Sequence, residues 1–243
     1  MSTTTTRKIL AVFAHPDDES FICGGTLAKY ASEGVDITLV SATRGEMGRR
    51  MGNPPYVNRE TMPAVREQEL LAACEALGVN RLLFFDIRDK TVEFVDQEAL
   101  TDRVVALIEE TKPDVILTFH EVLGGHPDHC AIGKVTTAAH ERTKASSGAE
   151  LFFITFGDRL ADAEARFGYA YPNPIVKVDI SKHHREKLAS FRAHRCQTEI
   201  DPWVWLPDDQ ALSRFGKHEY FIAGDKAKRP APGDDLFPPA KRK

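Results

Sequence analysis

Residues 8–20 read KILAVFAHPDDES. After Lys8 the run to Ala14 is continuously apolar, the pattern of a strand buried on both faces. Within the next five residues the chain turns to a histidine and three carboxylates, His15, Asp17, Asp18 and Glu19. Packing alone rarely puts such a density of charge at a strand end, so the segment raises the question of what these four side chains hold.

Further strand-like runs follow at 36–42, 81–87, 114–119, 150–156 and 175–180. Helical patterns separate them, near 22–33, 62–79, 98–111, 128–143 and 181–193. This alternation predicts a Rossmann-like α/β fold, a mostly parallel sheet with helices on both faces. In the second helix Val65, Leu70, Leu71, Cys74 and Leu77 fall near helical spacing, and Gly78 supplies the stop. Residues 44–62 hold Gly, Pro and Asn without an apolar period, a loop long enough to suggest function. One domain is expected over 1–223. From Gly224 to the end the chain is rich in Pro and charge with little to bury, and a disordered tail is expected over 224–243.

At 243 residues, 42% hydrophobic and 28% charged, the chain is long enough for one sizeable core. A net charge of −4 without a basic face excludes the electrostatic footprint of a nucleic-acid binder. No apolar run has the length of a signal peptide or a membrane span, so a soluble cytoplasmic protein with no membrane partner is expected. Cys23, Cys74, Cys130 and Cys196 stand far apart, as small core residues rather than a disulfide framework or a thiolate metal site. His140, His183, His184 and His218 fall on helical or charged stretches and are expected at the surface, whereas His120 reads as a loop or supporting histidine.

In open parallel sheets, ligands bind beyond the carboxyl ends of the strands. HPDDE follows the first strand, TRGEMG the second and HEVLGGHPDH the fourth, so three strand ends deliver polar residues to one rim. Two of these loops share a unit, His15-Pro16-Asp17-Asp18 and His126-Pro127-Asp128-His129. Each sets two candidate ligands three residues apart, with proline favouring a turn and then a first helical turn. The ligand candidates are His15, Asp18 and His129; Asp17, His126 and Asp128 are left over. Two imidazoles and a carboxylate with a fourth position for water form a catalytic zinc arrangement, which points to a hydrolase. Such chemistry also needs a base and a donor for the developing oxyanion or leaving amine, jobs open to Asp17 and His126. Imidazole with carboxylate also admits other divalent ions. A nucleotide-binding module is the competing reading, but the turn after strand one lacks its G-x-G-x-x-G.

AHPDDE at 14–19 and HPDH at 126–129 together resemble the LmbE-like (PIG-L) family of zinc-dependent de-N-acetylases. That family includes deacetylases of N-acetylglucosaminyl conjugates and a mycothiol-conjugate amidase. The resemblance spans roughly residues 7–200, with TRGEMG at 43–48 and VREQE at 65–69. It implies one zinc ion on His15, Asp18 and His129, with Asp17 as general base. It implies His126 as a protonated partner of the intermediate, kept cationic and oriented by Asp128. Arg66 becomes a substrate contact, with Glu46 and Arg44 on the rim, and His194 a residue that can approach the site. The implied partner is a small amino-sugar conjugate, with cleavage of a larger thiol-sugar conjugate as the alternative, and homo-oligomerisation is a family tendency. The sequence departs from the family at HEVLGG, which has no counterpart to a tyrosine that assists the intermediate. Trp203 and Trp205 are candidates for stacking on a sugar, or for packing.

Overall fold

The fold is known from a computed structural model that describes residues 6–156, 175–224 and 235–237. β1 (Lys8–Phe13) lies near the middle of a sheet with β2 (Asp36–Ser41), β3 (Arg81–Phe84), β4 (Val115–Thr118), β5 (Glu150–Thr155), β6 (Ile175–Asp179) and β7 (His218–Ala223). Among the described residues the strand order is β3-β2-β1-β4-β5-β7-β6. The first five strands are parallel; β7 runs antiparallel to both β5 and β6. The expected α/β architecture is therefore present, with an antiparallel β7 added where no strand was expected.

Burial follows strand position. In β1 and β2 every residue after the first is buried, because helices cover both faces of the central strands. β6, at the edge of the sheet, alternates between buried and exposed, as a strand covered on one face does. The helices are α1 (Asp18–Ser32), α2 (Met62–Leu77), α3 (Gln97–Thr111), α4 (Pro127–Ser147), α5 (His184–Ala193) and the short α6 (Arg195–Thr198) and α7 (Asp208–Leu212). α1, α2 and α5 pack together, and α3 packs on α4. Asp96 caps α3, accepting from the N–H groups of Glu98 and Ala99, and Gly78 ends α2 in the left-handed conformation its φ of 74° requires.

α1 is broken at Cys23, whose φ of −134° lies outside the helical range. The break frees the N–H groups of Gly25 and Thr26, which donate to the two carboxylate oxygens of Glu219 on β7 at 3.0 and 2.7 Å. Lys187 of α5 pairs with the same buried carboxylate. The sheet's added strand thus closes on the helix that follows β1.

β1 and β4 are neighbours although two strands, β2 and β3, lie between them in the chain, so the direction of connection reverses between them. Such a switch point opens a crevice at the carboxyl ends of the strands. The two His-Pro-Asp loops leave the sheet there, one from each side. α4 approaches very closely: a Cβ on Gly133 would lie 2.3 Å from the Phe119 carbonyl oxygen. Gly133→Ala is therefore expected to cost about 1–3 kcal/mol through forced backbone displacement, read as a lowered denaturation midpoint.

The four cysteines are free, three of them buried, as expected of core residues. His140 is a correction: it is buried, not at the surface, and its Nε2 lies 2.9 Å from the Ala149 carbonyl oxygen. Trp203 packs edge-on against Phe191 and Phe215, while Trp205 is half-exposed and donates from Nε1 to the Thr198 carbonyl. Within the segment expected to be a tail, Leu236 and Phe237 are buried; Asp235 Oδ1 accepts from the Tyr30 hydroxyl at 2.7 Å and Arg7 covers the Phe237 ring. The rest of 225–243 lies outside the described residues. No helix among the described residues is long and apolar enough to cross a membrane.

Candidate active site

His15 leaves β1 with its two ring nitrogens facing different partners. Nε2 lies 3.2 Å from Asp128 Oδ2 and 3.1 Å from Asp89 Oδ1. Nδ1 lies 3.2 Å from His129 Nε2 and 3.7 Å from Asp18 Oδ2. Burial acts to lower the His15 pKa, but the carboxylates of Asp128, Asp89 and Asp18 outweigh it and raise the pKa to about 10. The surroundings are those of a place that holds positive charge.

His129 projects from the first turn of α4. Its Nδ1 lies 3.0 Å from the Gly124 carbonyl oxygen, which fixes the proton on Nδ1 and leaves Nε2 with a lone pair. The ring stacks on Phe119 at 3.8 Å between centroids, almost parallel to it. His129 Nε2 is also 3.3 Å from Asp18 Oδ1. Burial acts to raise the Asp18 pKa, yet His129 and His15 hold it down at about 2.

These contacts set a problem of protons. His15 Nε2 faces two carboxylates and carries hydrogen; His129 Nδ1 faces a carbonyl and carries hydrogen. The two remaining nitrogens, His15 Nδ1 and His129 Nε2, face each other across 3.2 Å, close enough to share a proton on His15 when no metal ion is bound. A metal ion can take the place of that shared proton, and a carboxylate oxygen completes the trio. With metal–ligand bonds of roughly 2.0–2.1 Å, tetrahedral donors stand about 3.3 Å apart, which matches the two shorter separations here. The donor set therefore fits a metal ion. Two further groupings bring donors within 4.8 Å, His15 with His126 and His129, and His15 with Asp89 and Asp128. In the last of these the carboxylates are already engaged: Asp128 accepts from the N–H groups of Lys90 and Val92, and Asp89 from Met47.

Asp128 thus departs from expectation. Its carboxylate holds His15, not His126, because the loop after β3 brings backbone donors to it and leaves His126 on the other side of the turn. His126 instead caps α4, Nδ1 accepting from the Asp128 N–H at 3.1 Å. The remaining proton sits on Nε2. Burial lowers the His126 pKa, and the neighbouring His15 and His129 lower it further against the opposing pull of Asp128. These influences disfavour the protonated His126 that the resemblance implies.

Asp17 precedes α1 at φ 110°, a left-handed conformation that strains a non-glycine residue. Its Oδ2 accepts from Arg66 Nη2 at 2.8 Å, and its N–H donates to Glu19 Oε2 at 3.1 Å. Burial pushes its pKa up to about 6, Arg66 opposing and Asp18 adding to the rise. Arg66 is buried and also donates to the Pro16 and Gly45 carbonyls. Its Nη groups grip the Asp17 loop, and the residue also lines the cavity beside His15. Glu46 turns its Oε1 to the Asp89 N–H, and Arg44 pairs with Glu67 and Asp86 and lies over Phe84. Neither lines the cavities described below.

Sequence reasoning missed Asp89 and Phe119, and it named Glu19 and His194 without pairing them. Asp89 follows β3 and meets His15 only because its loop crosses over β2. Glu19 and His194 form a fully buried pair at 2.6 Å, which reaches Asp17 through the Glu19 Oε2 bond above. Phe119 carries the stacked His129. Glu19 left a signal as one charge too many at a strand end, and His194 through the family resemblance.

Cavities surround the cluster. One of about 340 Å³ is lined by His15, Asp17, Asp18, Arg49, Lys90 and His126, among others. A second, of about 200 Å³, lies beyond His126 and His129 against Ile22, Phe119, Leu123 and Ile154. No tyrosine lines them among the described residues, in keeping with the departure seen in HEVLGG.

Residues 10–140 match the family described as PIG-L, GlcNAc-PI de-N-acetylase. A probable N-acetyl-alpha-D-glucosaminyl L-malate deacetylase 2 of Bacillus cereus is 38% identical over 79% of this chain and 84% of its own. A 1D-myo-inositol 2-acetamido-2-deoxy-alpha-D-glucopyranoside deacetylase of Actinosynnema mirum is 34% identical over 82% and 84%. The fold is also that of an N,N'-diacetylchitobiose deacetylase from Pyrococcus horikoshii, with a TM-score of 0.65 at 22% identity, covering 89% of this chain and 83% of that one. With its paired His-Pro-Asp loops at the switch point of the sheet, this chain belongs to the PIG-L family of de-N-acetylases.

Proposed function

We propose that this chain removes the N-acetyl group from an N-acetylglucosaminyl conjugate, with a zinc ion held by His15, Asp18 and His129. The observation that carries the reading is the pair of imidazole nitrogens facing each other across 3.2 Å beside a carboxylate. The relatives' names supply the substrate class, since both are deacetylases of glucosaminyl conjugates. When bound, zinc supplies Lewis acidity, polarising an amide carbonyl and making a water molecule more acidic.

The protein's own residues divide the remaining work. Arg66 occupies Oδ2 of Asp17, and Oδ1 has no protein partner among the described residues, so Oδ1 takes the proton of the attacking water. A pKa of about 6 lets the carboxylate ionise in neutral solution and, once protonated, return that proton to the leaving amine. His126 donates from Nε2 to the oxygen that gains charge as the carbonyl becomes tetrahedral. The apolar niche of Ile22, Phe119, Leu123 and Ile154 is of a size and character to take the acetyl methyl group.

The test is acetate release from N-acetyl-α-D-glucosaminyl L-malate and from its inositol counterpart, before and after metal removal and zinc return. Release that disappears with chelation and comes back with zinc is the expected result. A protein that carries zinc yet cleaves neither of these, nor a larger thiol-sugar conjugate, would end the reading.

A further inference from the structure

The cavity beside His15 is lined by three basic side chains, Arg49, Arg66 and Lys90. Arg66 is committed to Asp17 and the Pro16 and Gly45 carbonyls. Arg49 and Lys90 are different: both are exposed, and neither side chain has an ion pair or hydrogen bond among the described residues. Some other cations are matched, as in Arg44 with Glu67 and Asp86, Arg50 with Asp201 and Arg192 with Asp208; what sets Arg49 and Lys90 apart is that both line this cavity. A chain of net charge −4 thus places two unmatched positive charges at the mouth of its candidate active site.

The backbones that carry them are fixed. The Arg49 loop is held by Arg59, whose Nη1 donates to the Glu46 and Gly48 carbonyls at 3.1 and 2.6 Å. Lys90 is anchored by its own N–H, which donates to Asp128 Oδ2 at 2.6 Å, the same oxygen that lies beside His15. Its φ of 68° turns the chain sharply at that point. The two cations come from different loops, one after β2 and one after β3, so they can meet two separate anionic groups.

We propose that Arg49 and Lys90 form a carboxylate-binding subsite for the group attached to the sugar, and that the enzyme selects conjugates whose aglycone is a hydroxy-diacid. The proposal rests on the deacetylase reading above and goes past it, from the bond cleaved to the part of the substrate that is not cleaved. An aglycone joined through its hydroxyl keeps both carboxylates free, which suits two point charges; a polyol such as inositol offers neither. Charge-assisted bonds to carboxylate give the discrimination, and their exposure makes it sensitive to salt.

The experiment compares kcat/KM for the malate and inositol conjugates in zinc-loaded wild type, Arg49→Gln and Lys90→Gln. Lys90→Gln keeps the backbone bond to Asp128, so the support of His15 is preserved. Wild type is expected to prefer the malate conjugate, and each variant to lower the malate-to-inositol ratio by about 10- to 100-fold, through KM. The malate KM is also expected to rise with ionic strength. A ratio that the substitutions leave in place overturns the subsite, whatever they do to overall rate. If wild type cleaves neither conjugate, the deacetylase reading falls separately. The subsite is then decided by calorimetry with L-malate: binding weakened in both variants supports it, and absent or unaltered binding overturns it.

Discussion

Asp17→Asn is expected to lower kcat for acetate release by about 10²- to 10⁴-fold, the usual contribution of a positioned general base. Asparagine matches aspartate in size and keeps an oxygen for Arg66, so the loop and the donors on His15, Asp18 and His129 stay in place. Metal content, measured by elemental analysis, should therefore equal that of wild type. The substitution removes only the ability of Oδ1 to accept a proton. A variant that retained most of its rate with full metal would show that another group takes the proton, and Asp17 would then be only the strained entry to α1. A variant that lost metal along with rate would place Asp17 among the ligands.

The second large effect is on stability. His194 and Glu19 are buried almost completely, 2.6 Å apart, and the same Glu19 Oε1 accepts the Ser20 hydroxyl. Truncating one member of such a pair leaves the other charged and unsolvated, at a cost of about 3–5 kcal/mol. His194→Ala is expected to lower the denaturant midpoint accordingly. Burial acts to lower the His194 pKa, but Glu19 and then Asp17 raise it above its ordinary value. A raised folded-state pKa means that protonation of His194 contributes stability fully below the unfolded value near 6.5. That contribution is lost as pH rises through the higher folded value. Unfolding curves across this window should show wild type losing its advantage over His194→Gln as pH rises; parallel curves would mean the pair is neutral when folded.

Most of what places the site was legible in the sequence. The buried strands announced themselves as unbroken apolar runs, and the doubled His-Pro-Asp units marked the loops that leave β1 and β4. Individual partners were less so, because a side chain's neighbour in space need not be near it in sequence. Asp128 looked like the partner of His126, two residues away, but its carboxylate meets the loop after β3 and His15. Arg66 stood on a helix that could have faced solvent, and only the fold of the loop before it shows its guanidinium turned inward onto Asp17. β7 was missed for a related reason. HEYFIA carries Glu219 in a buried position, which breaks the apolar pattern, and that carboxylate is justified only by free N–H groups nearly two hundred residues earlier.

The contact between Tyr30 and residues 235–237 bears on how the protein should be handled. Tyr30 lies near the far end of α1, the helix whose first residue is Asp18, and its hydroxyl bridges the Asp235 carboxylate and the Leu236 N–H. Shortening the gene at Gly224, a natural choice for someone trimming a Pro- and Lys-rich ending, would strip away this clasp and bare the ring that Phe237 covers.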